Sequence, residues 1–255
     1  MLRQCLAEAI GVFALNYYGG NSVFLAEHGA SNLEVAGAHA LIIAVCIIAL
    51  EPVSGAHFNP VVTNCFMLLG ELSPGTALMY TLSQIGGSVL SAVALNQSRP
   101  GEYSGLGYPK AAQNTGLGQS FSMEFIGSAM LLFIVFCQVR AGFPHFSIAA
   151  SVAMLIIATG CSIGPLGEVV MNPARTIGPA LLSDDGLFVR GWWIYYSASF
   201  FGGWTGMMLA MFIVRPNEAR ELVDGGDGER SGIAKLRTVQ ETPGSGRQSS
   251  SFEVN

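Results

Sequence analysis

The sequence predicts an all-α membrane protein: six transmembrane helices plus two re-entrant half-helices, arranged as two inverted repeats. Three observations carry that prediction. Of 255 residues, 51% are hydrophobic and only 11% charged, against about 25% charged in an ordinary soluble domain. Long windows run without a single Asp, Glu, Lys or Arg. And one short motif, Asn-Pro after a Gly-containing stretch, occurs at equivalent places in two halves of the chain.

The spans come in order. A bilayer core needs about 20 apolar residues per helix. Residues 6–26 supply the first span despite Glu8, and residues 35–50 the second, extended by a turn. The 27 residues between Glu71 and Arg99 are charge-free and hold the third; residues 121–139 give the fourth, around Glu124. The 27 residues between Arg140 and Glu168 hold the fifth, and the 24 between Arg190 and Arg215 the sixth. One Arg precedes the first apolar run and no small-residue cleavage site follows it, so a removable signal peptide is disfavoured.

Charge separates body from tail. Residues 1–215 carry seven basic and ten acidic side chains, and residues 216–255 carry five and seven, so the tail is about four times denser in charge. Its Gly, Ser, Glu and Arg composition lacks the apolar content to bury a core, which predicts a disordered tail. Six spans place both termini on one side. Basic residues concentrate there, which makes that side the cytoplasm, with the plasma membrane as the expected location. A net charge of −5 offers no basic stripe for nucleic acid. Five scattered cysteines have no paired metal spacing and read as buried thiols.

Glu8-Ala9-Ile10-Gly11 returns as Glu124-Phe125-Ile126-Gly127, and Gly86-Gly87 as Gly202-Gly203, each 116 residues on; Asn59-Pro60 returns as Asn172-Pro173 at 113. Repeat one covers about 4–98 and repeat two about 119–215 of a membrane domain, 1–215. Three spans per repeat invert the second copy relative to the first, and such folds place their site between the halves near the midplane.

The segments "SGAHFNPVVTNCFMLLG" and "GPLGEVVMNPARTIGPALL" each lead through an irregular stretch to Asn-Pro and an apolar run too short to span. Asn is a favoured N-cap and Pro suits the first helical position, so Asn59-Pro60 and Asn172-Pro173 start two half-helices. Residues 59–70 would rise about 18 Å. Inversion brings the two N-termini together, with converging dipoles that repel cations. Irregular backbone at that depth must be buried in protein or line a watery path.

With "AEAIG" and "MEFIGS", these motifs resemble the aquaporin and aquaglyceroporin (major intrinsic protein) family over about residues 4–215. The resemblance implies a homotetramer of six-helix channels in the bilayer. It implies a central constriction of Asn59, Pro60 and Val61 with Asn172, Pro173 and Ala174. Val61 departs from the family's usual Ala, and its extra methyls would either narrow the constriction or shift the half-helix. Counting from the motifs, the family's outer filter falls on His39, Gly160, Val169 and Arg175. His39 with Gly160 matches neither the water pattern nor the glycerol pattern. Thr176, Ala180 and Tyr195-Tyr196 lean toward water, and the Pro-containing approach loop toward glycerol and metalloid channels.

The expectation is a passive channel for water with some small uncharged solutes, excluding ions and protons, with no enzyme activity, cofactor or metal. The alternative is an aquaglyceroporin-type channel for glycerol, urea, ammonia or metalloid acids. Glu8 and Glu124 are intramembrane acids. Each is expected to steady a loop; a proton-coupled carrier would use them instead, and a closed adhesive protein would use neither. His57 is expected to pack its loop and His145 to be solvated. Asn96-Gln97-Ser98 is a glycosylation sequon close to the membrane.

Overall fold

The computed structural model describes residues 1–98, 115–167, 169–183 and 191–214. The tail, and Arg99, Lys110, Glu168, Arg190 and Arg215 on which the span limits and orientation partly rest, lie outside the described residues. The described chain forms eight α-helices: α1 (Leu2–Glu27), α2 (Asn32–Ser54), α3 (Pro60–Leu68), α4 (Pro74–Ser98), α5 (Leu117–Arg140), α6 (His145–Ser162), α7 (Pro173–Leu181) and α8 (Ile194–Ile213). A single 3₁₀ turn, Gly164–Leu166, follows α6.

Four of the six long helices (α2, α4, α5 and α6) are long and apolar enough to cross a membrane. The other two, α1 and α8, have 26 and 20 residues, with Asn, Gly and Tyr diluting their hydropathy. Helix α2 overruns its expected limits at both ends. Ser31 caps it: its Oγ accepts from the Glu34 amide at 3.3 Å, and Glu34 Oε2 accepts from the Ser31 amide at 2.7 Å. At the other end the helix passes through Pro52 and stops at Gly55, whose φ of 86° suits a residue without Cβ.

The half-helices are shorter than expected. Each has nine residues, about 14 Å of rise. Gly70, at φ 77°, lies just past the first, where its amide donates to Met67 O and that of Glu71 to Phe66 O.

Helix α1 packs on α4, and α5 on α8, while α2 meets α6 across the two halves. The close pairs depend on missing side chains. A Cβ on Gly87 would lie 2.1 Å from the Ala9 carbonyl oxygen, and one on Gly202 would lie 2.2 Å from that of Phe125. Gly206 similarly meets the Ala129 carbonyl oxygen, at 2.0 Å. Small residues let helix backbones approach where lipid provides no hydrophobic drive to associate. These contacts equate Gly87 with Gly202, an offset of 115, so the third span sits one residue away from the register that the Gly-Gly pairs suggest.

Large apolar side chains cover the outside: Leu41 is 68% exposed, Leu90 62%, Met154 62% and Phe212 81%. Exposed apolar side chains of that size suit lipid or another membrane protein, not water. The cysteine expectation needs correcting. Cys5, Cys46 and Cys65 are buried, but Cys137 is half-buried and Cys161 exposed, because it falls in the last turn of α6. The sequon residue Asn96 is exposed in the last turn of α4.

Candidate functional site

A cavity of about 770 Å³ runs through the bundle. It reaches from Ala26 and Asn32, at the α1–α2 turn, to Gly142 and His145 between α5 and α6. The two half-helices abut it from opposite repeats. Asn59 and Asn172 line it, as do His39, Gly160, Val169 and Arg175.

Each motif Asn does two things. Asn59 Oδ1 accepts from the Val61 amide at 2.9 Å, and Asn172 Oδ1 from the Ala174 amide at 3.1 Å, which caps α3 and α7. Asn59 Nδ2 donates to Met171 O at 2.7 Å, and Asn172 Nδ2 to Phe58 O at 2.8 Å. An amide NH₂ has two hydrogens. One is used in this cross-repeat bond, and the second is available to a molecule in the cavity.

The accepting carbonyls belong to strained residues. Phe58 and Met171 have φ of 48° and 56° without being glycine, at a cost of about 1 kcal/mol or more each. Buried carboxylates hold them there. Glu8 Oε2 accepts from the Phe58 amide at 2.7 Å and from Gln84 Nε2 at 2.8 Å, while Oε1 accepts from Ser54 Oγ at 2.7 Å and the His57 amide at 3.0 Å. Glu124 repeats the pattern: it accepts from the amides of Val170 and Met171, each at 2.7 Å, and from Ser199 Oγ at 2.5 Å. Both carboxylates are fully buried. Donors on three sides compensate the desolvation that burial costs.

Sequence reasoning missed Ser54, Gln84 and Ser199. A signal existed for two of them: Gln84 stands three residues before Gly87, and Ser199 three before Gly202.

His39 lies against Arg175. Its Nδ1 is 2.9 Å from Val35 O, and its Nε2 is 2.8 Å from Arg175 Nη2. A carbonyl only accepts and a guanidinium only donates, so this pattern requires the neutral imidazole with its proton on Nδ1. Gly160 and Val169 serve packing as well. A Cβ on Gly160 would lie 2.5 Å from Ala36 Cβ, and Val169 Cγ1 fills the space a Cβ on Gly127 would occupy, at 2.6 Å.

Val61, Ala174, Pro60 and Pro173 are buried and do not line the cavity. Val61 is fully buried and packs away from the cavity. Its Cγ1 lies 2.2 Å from where a Cβ on Gly203 would stand. Its extra methyls therefore occupy a notch in α8.

Two histidines do more than expected. His57 lines the cavity, stacks on Phe66 at 4.6 Å between ring centroids, and has its Nδ1 3.2 Å from Thr63 Oγ1. His145 is not merely solvated: its Nδ1 lies 3.0 Å from Glu51 Oε1, linking α6 to α2 at one end of the cavity.

Comparison with known proteins identifies the family. Residues 1–210 match the profile of the family described as major intrinsic protein. The chain belongs to that family. Among relatives of this major intrinsic protein, a probable aquaporin NIP-type of Nicotiana alata is 29% identical over 238 residues, covering 91% of this chain and 85% of the relative. Aquaporin-2 of Rattus norvegicus is 30% identical, covering 84% and 80%. The solved structure of the aquaglyceroporin from Plasmodium falciparum superposes with a TM-score of 0.70 at 17% identity, covering 83% of this chain and 94% of that one. The fold is shared at that distance. As a major intrinsic protein the chain is an integral membrane protein and a passive channel for water and small neutral solutes, not an enzyme.

Proposed function

We propose that this channel conducts water together with some small uncharged solutes, and that two zones along the cavity discriminate. The middle zone is the Asn59–Asn172 pair, held by Pro60, Val61, Pro173 and Ala174. Two helix N-termini, each with about half a positive charge, converge there and oppose cations and relayed protons. The outer zone is His39, Gly160, Val169 and Arg175. The observation that carries this reading is the Arg175–His39 hydrogen bond of 2.8 Å at the edge of the cavity, which supports a guanidinium fixed beside a path that small side chains leave open.

Glu8 and Glu124 act as scaffold in this reading. Acids that accept from three or four donors hold loops and are poorly placed to shuttle protons, which argues against a carrier. Homotetrameric assembly, cytoplasmic termini and a plasma-membrane location are parts of the same proposal. Gly202 and Gly206 are used inside the chain, against α5, so they lend the tetramer no support.

A stopped-flow panel on proteoliposomes tests the function: water, glycerol, urea and ammonia, each with and without a pH gradient. Fast water flow of low activation energy, independent of the gradient, is expected, with a smaller flux of at least one solute. Flux that needs the gradient would replace the channel with a carrier. Glycerol flux that dominates water would favour the aquaglyceroporin-type alternative, whose specific support is the Pro-containing approach loop at 160–173.

A further inference from the structure

We infer that Gly19, on α1 and outside both zones, is a positioning residue for solute selection: its missing Cβ makes the space in which the His39 ring stands and receives the Arg175 hydrogen bond. This rests on the outer-zone reading above. A Cβ built on Gly19 would lie 2.3 Å from His39 Nε2, 2.5 Å from Cδ2 and 2.9 Å from Cε1. The atom it would meet first is the one that accepts from Arg175 Nη2. The other end of the ring is tied down, with Nδ1 2.9 Å from Val35 O and 3.5 Å from Ser22 Oγ.

Three elements therefore set the ring. Helix α2 supplies His39 and the Val35 carbonyl, α7 supplies Arg175, and α1 supplies the empty place at Gly19. The side that yields to an added methyl is predictable. Gly19 sits inside a continuous helix, whereas the imidazole is the far end of a side chain that can rotate about χ1 and χ2. Alanine at position 19 also suits the helix better than glycine. The expected response to Gly19→Ala is that α1 stays and the ring turns away, breaking the Arg175–His39 bond. Arg175 Nη2, now without its histidine acceptor, competes differently for solute oxygens.

The test measures the ratio of solute to water permeability in proteoliposomes for Gly19→Ala, His39→Ala and the double variant, using glycerol and urea. A ratio rather than a flux cancels differences in folded protein per vesicle. His39→Ala and Gly19→Ala are expected to shift the ratio in the same direction by about threefold or more, the scale of one hydrogen bond. In the double variant the ring is gone and the added methyl no longer meets it, so Gly19→Ala should then change the ratio by less than about 1.5-fold. The double variant also guards against a folding failure of the single one, since it removes the clash. If His39→Ala shifts the ratio and Gly19→Ala does not, this inference fails and the outer zone stands. If Gly19→Ala acts equally with and without His39, it works through α1 packing and the inference fails. If His39→Ala leaves the ratio unmoved, the outer zone and this inference fail together.

Discussion

Asn59 and Asn172 never bond to each other; each donates to the carbonyl of the residue just before its counterpart, Met171 at 2.7 Å and Phe58 at 2.8 Å. This exchange closes a ring across the two repeats. Because each Asn also caps its own half-helix, one side chain fixes both the start of a helix and the place of the opposite loop. Asn59→Ala removes a cap, worth about 1 kcal/mol, and leaves Met171 O without its protein donor, worth about 1–3 kcal/mol more. A lower midpoint in thermal unfolding in detergent is expected, with reduced water permeability. Asn172→Ala should cost the same within error, and the pair together less than the sum, since they share one ring. Additive losses would show that the two bonds act independently.

Glu124→Gln probes the scaffold. The carboxylate accepts from two amides and a hydroxyl at 2.5–2.7 Å. Gln presents one oxygen and an NH₂ that faces donors, leaving at least one buried N–H unsatisfied at about 1–3 kcal/mol. The expected outcome is a destabilised channel whose remaining flux still ignores a pH gradient. A variant that folds with wild-type stability but loses gradient-driven uptake would reverse the assignment to a proton carrier.

His39→Phe keeps an aromatic ring over Gly19 but takes away the acceptor for Arg175 and the donor to Val35 O. Selectivity among glycerol, urea and water should change several-fold, while water flux changes less. Equal changes in all permeabilities would place His39 outside the discriminating zone.

Much of this was legible in the sequence, and the residues show why. Asn followed by Pro states a helix start in two adjacent letters, so α3 and α7 could be placed to the residue. Their ends could not, because Gly70 closes α3 through a left-handed turn that several nearby residues could equally have made. The Ser31-to-Glu34 capping box was readable and would have set the start of α2. Phe58 and Met171 carry no local mark of their positive φ. That conformation is imposed by carboxylates 50 and 47 residues away in sequence, and only the folded chain brings those groups together. The register of the third span was hidden by its own Gly-Gly repeat, since either glycine of each pair could have been the close contact.

Val61 and Gly203 show how a departure from a motif is absorbed. The half-helix α3 carries Val61 against the bare backbone of Gly203 on α8. By the repeat offsets of 113 and 115, the matching positions in the other half are Ala174 and Ser88, so side-chain volume has moved from one member of the pair to the other. Val61→Ala should therefore leave solute selectivity unchanged and open a void beside Gly203, costing about 1–3 kcal/mol in unfolding. Gly203→Ala alone should overpack the same place, with its Cβ 2.2 Å from Val61 Cγ1, at about 1–3 kcal/mol. The double variant Val61→Ala with Gly203→Ala restores the pairing of a small residue on each side and should recover most of either loss. Thermal unfolding of the three proteins beside their glycerol-to-water permeability ratios decides it. If Val61→Ala shifts the ratio while the melting point holds, the methyls face the channel after all, and α3 carries its departure in the pore.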